Sequence, residues 1–278
     1  MTSTRLVSAA GLLASVCVAY VAAGVAGPGV DHAGASGAST TSAVVRPVSA
    51  KYPTNAAKIF RWGNAAWNDE FVRPLSTSTW RVNHASLVRD QHGMLTLDST
   101  PTSGDVVATA NGAGHQYGRW EARVRTRSYR GSGPTFRAVW ELVPTSGGYD
   151  CGARSIELSD YAVGAGAATM HVRNTPDEDF TTSKSLPLNN TFHTYAVEVT
   201  PDHVSWFVDT RVVMTERRPE ALSGATFTPR FRLVATPGAT MRRSRMQMDW
   251  VRYYTLARPN AHSIAAPQAT RTTYPDAC

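Results

Sequence analysis

Between residues 58 and 256 the chain offers no apolar stripe of 3.6-residue period long enough for a buried helix. What it offers instead is a series of short runs that alternate or nearly alternate between apolar and polar residues. They are "MLTLDS" (94–99), "RWEARVRT" (119–126), "FRAVWELV" (136–143), "TYAVEVT" (194–200), "HVSWFVD" (203–209), "RVVMTE" (211–216), "FRLVAT" (231–236) and "MQMDWVRYYT" (246–255). Together they are rich in Val, Trp, Tyr, Phe and Thr, which suit a pleated, half-buried surface. Turn residues separate them, as in "TPD" at 200–202 and "VDTR" at 208–211. Many short strands at regular spacing predict an all-β fold, a two-sheet sandwich or jelly roll. Sheet-on-sheet packing buries one face of each sheet and leaves an outer face that, where curved, forms a cleft.

The flanks read differently. Arg5 precedes an apolar run from Leu6 to about Val25, and small residues follow in "VAAGVAG". That is the layout of a secretory signal over residues 1–26, with an uncleaved membrane anchor as the competing reading. "LASVC" has Val16 where a lipoprotein box needs a small residue, so Cys17 is not read as a lipid anchor. Residues 27–57 are mostly Gly, Ala, Ser, Thr and Pro with no periodic face and predict a flexible linker, which leaves 58–256 as the folded domain and 257–278 as a loop-like tail. A secreted protein, with cell-envelope association open, is the expected product. Once the signal is removed, Cys151 and Cys278 remain, and an exported chain often pairs two such cysteines. The net charge is +7, almost all from arginine, since lysine occurs only at 51, 58 and 184. The charge is scattered apart from "MRRSR" at 241–245, which argues for weak attraction to anionic polymers and against a nucleic-acid groove.

One segment resists plain alternation. "RSIELSDY" (154–161) sets Glu157 and Asp160 three residues apart, so a regular strand would send them to opposite faces. Other motifs supply a frame. "WNDEFV" (67–72), "HQYGRWEARVR" (115–125), "FHTYAVEVTPDHVSWFVDTRVV" (192–213) and "MQMDWVRYYT" (246–255) follow one another in an order that resembles glycoside hydrolase family 16, the laminarinase- and lichenase-like enzymes. The resemblance runs from about Trp62 to Thr255. It implies a concanavalin A-like β-jelly-roll with a concave carbohydrate cleft and retaining cleavage of β-linked polysaccharide. The family's active strand reads Glu-Ile-Asp-Ile-Met-Glu-Tyr, with a bulge that brings its three acids to one face. Anchored on Tyr161, the resemblance sets Glu157 on the tuning Asp, Asp160 on the acid/base Glu and Ser155 on the nucleophile. A bulge would return Glu157 and Asp160 to one face and leave Ile156 and Leu158 to the core. The departures gather here: a hydroxyl in place of the nucleophilic carboxylate, an acid one methylene short, and Arg154 in place of a small residue. Val199 and Val234 also stand where the family has Trp and Asn.

Further candidates carry an ordinary alternative beside the functional one. His171 in "TMHVRN" either lines the cleft, as a family His does, or is a surface strand histidine. Trp120 and Trp140 either stack on sugar rings or pack inward, the usual place for aromatic strand residues. Glu121 shares a strand face with Arg123 and either contacts ligand or pairs on the sheet. Glu141 interrupts an apolar strand as a relocated carboxylate or a strand-edge acid. Asp249, with backbone carbonyls near Phe71 and Gly93, matches a structural calcium site of some family members, the one metal the resemblance allows. The expectation is therefore an exported, monomeric family-16-like domain that needs no cofactor and recognises, and in the fuller reading hydrolyses, a β-glucan-type polysaccharide. The alternative is a non-catalytic polysaccharide-binding or cell-envelope protein using the same cleft.

Overall fold

The computed structural model describes residues 55–146, 154–175, 177–260 and 265–273. Residues 1–26, most of the linker, and both Cys151 and Cys278 lie outside the described residues, and with them the expected signal and disulfide. Among the described residues no helix is long and apolar enough to cross a membrane.

The strands form two antiparallel sheets. The first holds β1 (Trp67–Asp69), β3 (Val88–Asp90), β4 (Leu95–Asp98), β6 (Gly118–Ser128), β11 (His193–Val199), β12 (Val204–Val208), β13 (Arg211–Glu216) and β15 (Ser244–Tyr254). The second holds β2 (Trp80–Val82), β5 (Val106–Ala110), β7 (Arg137–Pro144), β8 (Ser155–Ala162), β9 (Ala167–Arg173), β10 (Glu178–Ser185), β14 (Phe227–Val234) and β16 (Thr270–Thr273). In the first the order is β13-β12-β11-β6-β15-β4-β3, with β1 also on β15; in the second it is β16-β10-β9-β8-β7-β14-β5-β2. This is the two-sheet jelly roll that the alternation predicts. Inward residues of both sheets interlock around Trp80, Trp120, Trp140 and Trp206, all but sealed from solvent. A second, smaller cluster lies on the outer face of the first sheet, where Phe60 and Trp62 pack on Phe207 and Tyr254.

The expected boundaries shift at both ends. A single helical turn, α1 (Ala56–Ile59), buries Ala56 and Ala57 against the domain, so the fold begins inside the stretch read as linker. In the tail, β16 pairs with β10 from Glu178↔Thr273 to Thr181↔Thr270. Composition hides both β10, "EDFTTSKS", and the edge strand β16, "TRTT", because strands with little apolar surface alternate weakly. β14 starts at Phe227, earlier than its predicted start at 231, and carries Pro229.

Candidate functional site

The site grows out of β8. Ile156 and Leu158 take the core, as their character requires, leaving Ser155 and Glu157 on the outer face. Glu157 then pairs with His171 on β9, while Asp160 pairs with Thr169, so three steps along β8 match two along β9. On the other side Trp140 and Glu141 of β7 meet Ser159 and Glu157 across the same slip. This is a β-bulge, and it returns Asp160 to the face of Glu157. A bulge leaves a backbone group without its ladder partner. Here the Trp206 indole, reaching across the core from β12, donates to the Glu157 carbonyl at 3.0 Å.

On this outer face the charged groups are knit together. Glu157 Oε2 lies 2.5 Å from His171 Nε2, and the other ring nitrogen, Nδ1, is 2.9 Å from Asp179 Oδ1. Burial pulls the His171 pKa down, but the Glu157 charge and the bonds to Asp179 and Glu157 outweigh it and push it up to about 9. A doubly protonated ring donates from Nε2 to Glu157 and from Nδ1 to Asp179. Arg173, with Nη2 2.8 Å from Nδ1, opposes that charge and is held by the same acids, Nη1 3.6 Å from Glu157 and Nε 3.3 Å from Asp179. Asp160 is gripped by Arg137 through two nitrogens, with Nε at 3.0 Å. Burial raises the Asp160 pKa, Arg137 works against that rise, and the charge of Glu157 adds to it. Ligand atoms of Glu157, Asp160 and His171 all lie within 4.8 Å of one another. Glu141, fully buried and directly opposite Glu157, takes Arg230 at 2.8 Å and Arg232 at 2.5 Å. Two facing acids would repel, and these guanidiniums offset it.

The remaining candidates sort by which face they occupy. Trp120 and Trp140 are fully buried between the sheets, Trp140 stacked on Phe231 at 5.7 Å, so the stacking role is corrected to a core role for both. Glu121 is also corrected: it lies on the outer face of the other sheet, where its Oε1 accepts from the Ala56 amide at 2.6 Å and the Ala57 amide at 3.3 Å. Arg154 stands exposed at the mouth of β8, with Nε 3.4 Å from the Asn174 carbonyl. Asp249 pairs with Arg123 at 2.6 Å; one carboxylate already neutralised by a guanidinium does not fit a calcium ion. Glu141, read as a strand-edge acid or a relocated carboxylate, is a buried ion-pair member.

Sequence reasoning missed Arg137, Arg173 and Asp179. Arg173 was legible in principle, two residues beyond His171 and so on its face. Asp179 sits in the acidic run "PDEDF", which looks like a loop until β16 pairs with it.

The arrangement has relatives. The sequence profile of "Glycosyl hydrolases family 16" matches residues 75–252. No curated protein matches this sequence. Among solved structures, the fold is similar to the endo-1,3-beta-glucanase (laminarinase) catalytic domain from Thermotoga petrophila RKU-1, at TM-score 0.56 and 14% identity over 72% of this chain and 98% of that one. The laminarinase from Rhodothermus marinus gives TM-score 0.56 at 19% identity over 69% of this chain and 97% of that one. The laminarinase from Flavobacterium sp. UMI-01 gives TM-score 0.56 at 19% identity over 69% of this chain and all of that one, 100%. With the profile spanning most of the folded residues and the jelly roll shared with these enzymes, the chain belongs to glycosyl hydrolase family 16.

Proposed function

We propose that this domain recognises a β-linked polysaccharide at the mouth of the outer face of β7–β9, as a monomer exported from the cell, without double-displacement hydrolysis. The observation that carries the reading is that every carboxylate near the bulge is already committed to a cation. Retaining hydrolysis needs one carboxyl free to attack the anomeric carbon and a second about 5–5.5 Å away to move the proton. Glu157 is closed between His171 and Arg173, and the Glu157 and His171 side chains are each only 5% exposed. Asp160 is more open, at 13%, but is held by Arg137. The nucleophile's strand position is a hydroxyl, Ser155, itself buried, and a hydroxyl needs a base to attack. Ligand contact then falls to the exposed rim, Arg137 and Arg154, with Asp160 behind it.

A hydrolytic reading has its own support. The ligand oxygens of Glu157 and Asp160 lie within 4.8 Å, and the raised Asp160 pKa suits a general acid. Incubating the purified domain with β-glucans and galactans separates the two, with reducing ends and binding scored together. Saturable binding without new reducing ends is expected. Turnover with retention that survives Ser155→Ala would overturn the binding reading and make Glu157, and then Glu141, the carboxylates to test as nucleophile. A gain-of-function variant checks the chemistry. Arg154→Gly with Ser155→Glu and Asp160→Glu supplies the missing carboxylate and the longer acid, and is expected to add hydrolysis on a bound polymer. Acid assistance contributes about 10²–10⁴ in rate, so partial recovery is measurable.

A further inference from the structure

The outer face of the first sheet carries a concentration of arginine that the reading of the Glu157 network does not use. Along β6 the alternation that sends Trp120, Ala122 and Val124 inward sends Arg123, Arg125 and Arg127 outward, about 7 Å apart. Beside them on β15 and its approach stand Arg245 and Arg243, and beyond β4 stands Arg89. Among the described residues, two carboxylates pair with this field. Asp98 holds Arg89 and Arg245, and Asp249 holds Arg123. Arg125 finds the Gln247 side chain at 3.0 Å, a neutral partner. Arg127 and Arg243 are exposed and lie over the Tyr129 ring at 5.1 and 5.4 Å, with Arg245 at 5.8 Å from the same centroid. Phe192 is flanked in the same way by Arg123 at 4.1 Å and Arg125 at 4.5 Å.

This gathering costs stability. Arg127 and Arg245 are direct cross-strand partners, and like charges directly opposite are destabilising. An arrangement of this kind gains when an anion arrives, and guanidinium forks are matched to sulfate, phosphate and carboxylate. A row of cations repeating along a strand suits a linear polyanion better than a single ion.

We propose that this field is a docking surface for an anionic polysaccharide, on the opposite sheet from the Glu157 network and independent of the reading given to it. Features of this surface disfavour other polyanions. The Tyr129 and Phe192 faces are occupied by guanidiniums, so they present no free platform for bases, which single-stranded nucleic acid binding requires. The field lies within an eight-stranded sheet and, among the described residues, has neither a protruding helix nor a separate two-stranded ribbon to enter a groove. Among the described residues the one exposed large hydrophobic side chain is Val72, on the β1–β2 connection, so the field has no apolar wedge for a membrane.

The test compares two variants of equal charge. Arg125→Gln/Arg127→Gln/Arg243→Gln removes the field, while Arg61→Gln/Arg211→Gln/Arg217→Gln removes three exposed arginines elsewhere. Binding to heparin and to polygalacturonate is measured by calorimetry at fixed salt, with neutral laminarin, single-stranded DNA and phosphatidylserine vesicles alongside. The wild type is expected to bind one or both anionic polysaccharides, and the field variant to bind at least about tenfold more weakly, which is roughly 1.4 kcal/mol. The control triple is expected to stay within about threefold, and the melting temperature of the field variant to stay level or rise as like charges are removed. If the triple variant does not fold, Arg127→Gln/Arg243→Gln, both on exposed side chains, serves in its place. Equal losses in both variants would reduce the effect to net charge and overturn the proposal. So would no wild-type binding, or tighter binding to DNA or vesicles than to either anionic polysaccharide.

Discussion

Glu121 is a fully buried carboxyl on the outer face of the first sheet. Burial drives its carboxyl up to about 8 from 4.5, against the pull of the Ala57 and Ala56 amides and of Arg252. Between those two values the folded protein binds a proton that the unfolded chain has released, so folding stability falls as pH rises through the window. The slope approaches about 1.4 kcal/mol per pH unit while the linkage is complete. Glu121→Gln keeps the oxygen that Ala56 and Ala57 need and removes the titration. The variant is expected to match the wild type near pH 4 and to exceed it by a widening margin toward pH 8, read from urea midpoints at each pH. His171 acts in the same direction in a higher window, because its folded pKa of about 9 stands above the ordinary 6.5. Its contribution is whole below 6.5 and is lost as pH passes 9, so the Glu121→Gln protein is expected to keep a decline on the alkaline side.

At the scale of elements, the bulge of β8 is the feature on which the site depends. Without it Asp160 would turn to the core and the Arg137 pair could not form. The Trp206 indole that satisfies the Glu157 carbonyl is the inter-sheet bond that supports it. Trp206→Phe fills much of the same volume and removes the donor, which leaves a buried carbonyl without its partner. The expected loss is about 1–3 kcal/mol in chemical denaturation, most of it from that unmade bond. A second constraint lies at the start of β6. Gly118 has φ +142, and a Cβ there would meet Tyr253 Cε2 at 2.2 Å. Tyr253 cannot yield, because its ring stacks on His115 at 3.7 Å and its hydroxyl donates to the Tyr117 carbonyl at 2.9 Å. Gly118→Ala is therefore expected to cost about 1–3 kcal/mol through overpacking, checked by thermal melting.

For the whole molecule, closure of the second sheet depends on chain that the composition marks as tail. The Pro267 carbonyl accepts from the Thr215 amide at 3.1 Å, the Ala269 carbonyl accepts from Arg218 Nη2 at 2.6 Å, and β16 then covers the edge of β10. Truncation after residue 260 is expected to lower the melting temperature by roughly 4–8 °C, corresponding to about 2 kcal/mol for a domain of this size. It also bares a strand edge, so light scattering should report association that the intact chain does not show.

What the sequence determined by itself is whatever depends on neighbours along the chain. Alternation in "RWEARVRT" and "TYAVEVT" places Trp120 and Val197 inward on adjacent strands, and the apolar character of Ile156 and Leu158 sends both to the core. These are local choices of side-chain direction, and a period of two residues settles them. Tertiary structure alone decided which charge meets which. Arg137 reaches Asp160 across 23 positions, Arg232 reaches Glu141 across 91, and Ala56 reaches Glu121 across 65. Such pairs depend on strand order and register, which bring distant residues together in ways that residue types along one strand do not encode. That is why Glu121 could be assigned to a strand face from the sequence but not to a sheet, and why the acids of "RSIELSDY" could be found without seeing that each was already held by a cation.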